Sequence, residues 1–126
     1  MKKNKIILVL CVLLGLMMIN SGFNKFFNYM PMPKLTEEQV TIFGALMTLK
    51  WILPLVAVTE IVGGILVAIP KTSAFGAIVL LPVMIGIIAH HLTFDIAGIG
   101  VGLVLLLINV WVIFENKEKY EPMLKN

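Results

Sequence analysis

The chain has 126 residues, of which 60% are hydrophobic and 13% charged, with a mean hydropathy of +1.01. Soluble domains carry about 25% charged residues, so a soluble globular fold is excluded, and with it a soluble enzyme. The net charge of +3 comes from ten lysines and seven acids with no arginine; the lysines flank apolar runs and do not interleave with aromatics, which sets nucleic acid aside as a partner.

The first apolar run, residues 6–19, follows Lys2, Lys3 and Lys5. Its basic start and short core also describe a signal peptide, with Asn20-Ser21-Gly22 as a weak cleavage-like tract. Apolar residues resume at Phe23, Phe26 and Phe27, so the run reads as a retained helix over 6–27. The single cysteine, Cys11, sits inside it and allows no intramolecular disulfide, CxxC pair or cysteine-based metal site. Leu8-Val9-Leu10 lacks the small residue that precedes a lipoprotein cysteine.

Pro31 and Pro33 then break the chain, and Thr36-Glu37-Glu38-Gln39 forms a capping box. It starts a short amphipathic helix with Val40, Phe43 and Met47 as its apolar stripe. This helix is expected along the rim of the bundle or as an extension of the second span, with Pro54 marking a bend. The second span covers 51–69, interrupted by Thr59 and Glu60 and closed by Pro70. A third covers 74–92, with Pro82 expected to kink it. The fourth covers 96–114, with Asp95 placed to N-cap it and Asn109 its only strongly polar residue. Each is long enough for a hydrocarbon core of about 30 Å. The short links at 71–73 and 93–95 make neighbours antiparallel. The expected fold is an all-α membrane protein, one domain over 1–126. Its architecture is a four-transmembrane-helix up-down bundle with a short amphipathic helix between the first and second spans.

With the N-terminus inside, Lys2, Lys3, Lys5, Lys71, Lys117, Lys119 and Lys125 are cytoplasmic, and Lys25, Lys34 and Lys50 are external. The excess puts both termini in the cytoplasm. That orientation gathers the intramembrane polar residues, which are functional candidates because they are costly in lipid. Ser21, Asn24 and Lys25 lie near the outer end of the first helix, and His90-His91 end the third. Glu60 sits about 13 Å below the outer surface at 1.5 Å per residue. A pocket opening outward follows; a direct contact between Glu60 and a histidine does not.

Ala57, Glu60, Gly64 and Ala68 share one helix face, which marks a packing seam. Glu60 is then either a neutral acid bonding across that seam or a group that handles protons or a ligand. Lys25 either snorkels to headgroups or joins the polar group. Adjacent histidines diverge by about 100° on a helix, so at least one is interfacial or structural, and they make a poor metal pair. Gly98 and Gly102 fit close packing inside the bundle better than dimerisation.

Gly15, the tract Ser21-Gly22-Phe23-Asn24-Lys25-Phe26, the run Glu60-Ile61-Val62-Gly63-Gly64 and the His90-His91 pair together resemble the DoxX family of small bacterial membrane proteins, over roughly residues 5–114. The resemblance implies a four-helix bundle in the bacterial inner (cytoplasmic) membrane. It also implies a link to thiosulfate–quinone oxidoreductase or to complexes that handle oxidative stress. Carried over by position, Ser21, Asn24, Lys25, Glu60, His90 and His91 form the candidate ligand-binding set, without firm catalytic roles. Three functions fit. One is an accessory subunit of a membrane redox complex with an outward site for a quinone or similar carrier. A second is a non-enzymatic adaptor or assembly protein whose polar cluster only fixes packing. The third is a small permease, which four helices could form only as a homo-oligomer. No tightly bound cofactor or metal is expected, so electrons would come from a redox partner protein.

Overall fold

The computed structural model describes residues 5–30 and 34–124. Lys2, Lys3 and Lys125 of the lysine count, and the chain breakers Pro31 and Pro33, lie outside the described residues. The elements are α1 (Lys5–Phe27), α2 (Glu37–Thr48), α3 (Ile52–Ala68), α4 (Ser73–Phe94), a 3-10 turn (Ile96–Gly98), α5 (Ile99–Glu115) and α6 (Lys117–Leu124). No strand occurs among the described residues. In lipid the backbone must satisfy its own hydrogen bonds, so even β-branched runs such as those of α3 and α4 become helices. α1, α4 and the stretch Ile96–Glu115 are each long and apolar enough to cross a membrane. α2 and α3 together supply a fourth apolar stretch, bent by 85° at their junction. The chain is an all-α membrane protein.

Helix neighbours follow chain order: α1 packs on α3, α3 on α4 and α4 on α5, while α5 reaches back to α1. The core between them is made by Ile7, Leu14 and Met18 of α1, Leu80 and Met84 of α4, and Val112 of α5. The α1–α3 contact is the most extensive. A Cβ added at Gly64 would sit 2.7 Å from the Gly15 carbonyl oxygen, and one at Gly22 would sit 2.6 Å from the Ala57 carbonyl oxygen. Only glycine lets two backbones approach this far, and the gain is dispersion contact that lipid tails cannot supply. The seam read from Ala57, Glu60, Gly64 and Ala68 is this contact.

Three local expectations need correction. The bend before α3 is not at Pro54, which lies in the first turn of α3, where a missing N–H costs nothing. It is at Leu49–Lys50–Trp51, where Lys50 takes the left-handed φ of 65° and its N–H donates to the Met47 carbonyl at 3.1 Å. The stripe of α2 is rotated: Ile42, Leu46 and Gln39 are half-buried, whereas Val40 and Met47 are more than half exposed. α2 has three environments, a bundle face, a lipid flank and the polar arc of Glu37, Glu38, Thr41 and Thr48, so its apolar arc is wider than one stripe. Asp95 makes no side-chain cap bond; it ends α4 and precedes the 3-10 turn. The capping box stands as read, with the Gln39 N–H donating to Thr36 Oγ1 at 3.2 Å and the Thr36 N–H donating to Gln39 Oε1 at 3.0 Å.

Candidate functional site

Lys25 is in the last turn of α1, where its side chain can reach α3 across the glycine-lined seam. Its ammonium Nζ lies 2.5 Å from Glu60 Oε1 and donates to Ser21 Oγ, one turn back, at 3.0 Å. Glu60 is fully buried, and the Lys25 side chain is 27% exposed. Lys25 therefore does not snorkel to headgroups. The cost of burying an acid at the α1–α3 contact is offset by an ion pair between the two helices. The second carboxylate oxygen, Oε2, has no hydrogen-bond partner among the described residues.

Beside this pair lies a cavity of about 760 Å³. Gln39 and Phe43 of α2 bound it on one side, Val56 of α3 and Val83 of α4 on two others. Lys25, Thr59, His90, His91 and Asp95 bring polar groups to its wall. The volume lies within the range of about 300–1,000 Å³ that small-molecule sites occupy.

The candidate residues thus divide. Ser21, Lys25 and Glu60 form one bonded cluster, and Lys25 alone of the three reaches the cavity wall. His91 Nδ1 is 2.9 Å from the Ile87 carbonyl oxygen, and its Nε2 is 4.0 Å from Asp95 Oδ2. His90 is exposed and packs against the Phe94 ring. Both histidines line the cavity despite their divergence. Asn24 is elsewhere. Its Oδ1 accepts from the Met30 N–H at 2.9 Å, and its carbonyl accepts from the Asn28 N–H at 2.7 Å, so it shapes the turn after α1. Among the described residues, no three His, Cys, Asp or Glu side chains are grouped to hold a metal.

Gln39, Thr59 and Gly98 were not singled out for this site by the sequence. Gln39 closes the capping box and also donates from Nε2 to the Phe94 carbonyl at 3.4 Å, tying α2 to the end of α4. A Cβ at Gly98 would sit 2.7 Å from Asp95 Oδ2 and 3.0 Å from His91 Cδ2, so this glycine lets the 3-10 turn fold back on the His91–Asp95 pair. The GxxxG spacing carried a signal for close approach, but not for what is approached. Gly102 packs on Ile87 in α4, with a Cβ there 3.1 Å from Ile87 Cγ2.

The model of the DoxX family matches residues 6–94. The chain belongs to the DoxX family. No curated protein and no solved structure matches it. The part matched to DoxX runs through α1 to α4 and contains Ser21, Lys25, Glu60, His90 and His91. The cavity lining named above lies within it except for Asp95, one residue past its end. α5 and α6 lie outside it.

Proposed function

We propose that this DoxX chain is an accessory membrane subunit of a redox complex and holds a quinone or similar lipid-soluble carrier in the cavity beside Lys25. The observation that carries the reading is the placement of an ammonium group, already fixed by Ser21 and Glu60, on the wall of an otherwise largely apolar cavity of about 760 Å³. An ammonium has three donors. Two are used, and the third suits a carrier carbonyl. Thr59, His90 and His91 add polar groups along the same wall. The sequence has no paired cysteines and no nucleotide loop, so in this reading electrons come from a redox partner protein. The family resemblance supports a bacterial cytoplasmic membrane, and the lysine distribution supports both termini inside, which puts the cavity in the outer half of the bilayer.

The test is purification in gentle detergent with identification of co-purifying proteins and lipids, followed by quinone titration of the protein and of Lys25→Met. A redox partner, and quinone binding that weakens about tenfold in the variant, a loss of about 1.4 kcal/mol, support the reading. A partner-free chain that ignores quinone refutes it. The adaptor reading would then take its place, favoured by the position of the Lys25–Glu60 pair on the most extensive helix contact.

A further inference from the structure

α3 and α4 form a hairpin that is tight at its turn and open at its far end. Near the turn, a Cβ at Gly63 would sit 2.6 Å from Leu80 Cδ2, and one at Gly76 would sit 2.8 Å from Val67 Cα. Two turns farther along α3, Val56 occupies the face that Gly63 holds, and there it lines the cavity. Val83 and Ile87 do the same on α4. The rim of this opening is exposed: Leu55 on α3 is 56% accessible, and Pro82 and Gly86 on α4 are exposed. Gly86 lines the cavity, yet a Cβ there would meet nothing within 4 Å. Because α3 and α4 are apolar helices of a membrane protein, the exposed opening between them faces acyl chains. α2 covers the end toward the interface through the Gln39–Phe94 bond.

The charges of the wall decide what can enter. Lys25 is matched by Glu60 at 2.5 Å, and His91 faces Asp95 at 4.0 Å. Among the described residues, the cavity therefore offers hydrogen-bond donors without an unmatched positive charge. An anionic head would be stripped of water and find no cation free to neutralise it, whereas an uncharged acceptor loses little.

We propose that the cavity is a lateral site for an uncharged amphiphile that arrives through the bilayer, its accepting head on the remaining N–H of Lys25 and its tail leaving between Leu55 and Gly86. This rests on the cavity being the functional site, and it adds the route, the charge class of the ligand and the residues that admit it.

The experiment uses the full chain in zwitterionic nanodiscs, with the Trp111→Phe change so that Trp51, next to the cavity residue Ile52, reports binding. Three probes are compared: a short-chain benzoquinone, a brominated long-chain ketone, and a brominated fatty acid of the same length. Both uncharged probes should quench Trp51 saturably and the carboxylate should not. Gly86→Leu fills open space at the rim and should weaken both uncharged probes about tenfold or more, corresponding to about 1.4 kcal/mol. Gly100→Leu, also in open space but away from the cavity, should leave binding unchanged. Leu55→Trp, read by partitioning of the probes in place of fluorescence, closes the opposite rim and should give the same loss even if Gly86→Leu does not fold. Ketone binding that responds to the rim without quinone binding would keep this proposal and overturn the quinone reading. Preference for the carboxylate, or uncharged binding indifferent to both rim changes, would overturn the proposal.

Discussion

Removing one partner of the Lys25–Glu60 pair should be far more damaging than removing both. Glu60 has no exposed surface, and its Oε2 has no partner among the described residues, so Lys25→Met leaves a fully buried carboxylate whose neighbouring cation is gone. Losing one partner of a buried pair costs about 3–5 kcal/mol. The Lys25 side chain is 27% exposed, so water moderates the pair and the lower end, about 3 kcal/mol, is expected. Glu60→Gln keeps an acceptor for Lys25 but leaves its ammonium without a counter-charge, so its loss should fall between about 1 kcal/mol and the Lys25→Met value. Lys25→Met combined with Glu60→Met replaces both charges with flexible apolar chains and should recover most of the Lys25→Met loss. The assay is unfolding in mixed micelles followed by helical circular dichroism, analysed as a double-mutant cycle for Met at both positions. A coupling of about 2 kcal/mol or more is expected. Additivity within about 0.5 kcal/mol would show that the two side chains do not interact and would refute the argument.

Gly15→Ala should lower stability by about 1–3 kcal/mol, because its Cβ would lie 2.7 Å from Ala68 Cβ and against the Gly64 carbonyl. Gly44→Ala, which meets nothing within 4 Å, should raise it by about 0.5–1 kcal/mol in the same unfolding assay, through helix propensity alone. Burial pushes the Tyr120 phenol above its ordinary 10.0, and its hydroxyl donates to the Ala74 carbonyl at 2.6 Å. The neutral form is therefore favoured by docking of α6. That contribution is complete below pH 10.0 and is lost as pH rises through the raised folded value. Phenolate absorbance of the protein against Tyr120→Phe checks this, and titration of Tyr120 at or below 10.0 would count against it. Reporter fusions after Lys34 and Thr93 should be external, and fusions after Lys71 and Asn126 internal; an internal Lys34 would reverse the orientation.

What could be read from the sequence was mostly local. The capping box needs only Thr36 and Gln39 three residues apart, and it formed as read. The seam was visible because small residues recur at helical spacing from Ala57 to Ala68, whatever packs on them. The partner of Glu60 was not visible: Lys25 is 35 residues away, and only the α1–α3 crossing brings the two together. Pro54 misled because proline both ends helices and starts them, and local sequence does not say which. The stripe of α2 misled because a helix at an interface is apolar toward both protein and lipid. The cavity itself is a gap between four helices, and no single residue encodes it.

The 85° turn between α2 and α3 also shapes the protein as a body in the membrane. α2 is about 18 Å long at 1.5 Å per residue and lies across the direction of α3. Its Val40–Met47 flank is exposed, and acidic and hydroxyl side chains occupy the arc beside it, away from the bundle. Such a helix occupies the headgroup layer of one leaflet only. α2 therefore adds bulk to one leaflet, at the end of α3 away from the Pro70–Thr72 turn. Inserted bulk settles where that leaflet is stretched, so α2 should draw the chain toward membrane whose α2 leaflet curves outward, and lipid packing there should bear on how closely α2 sits over the cavity.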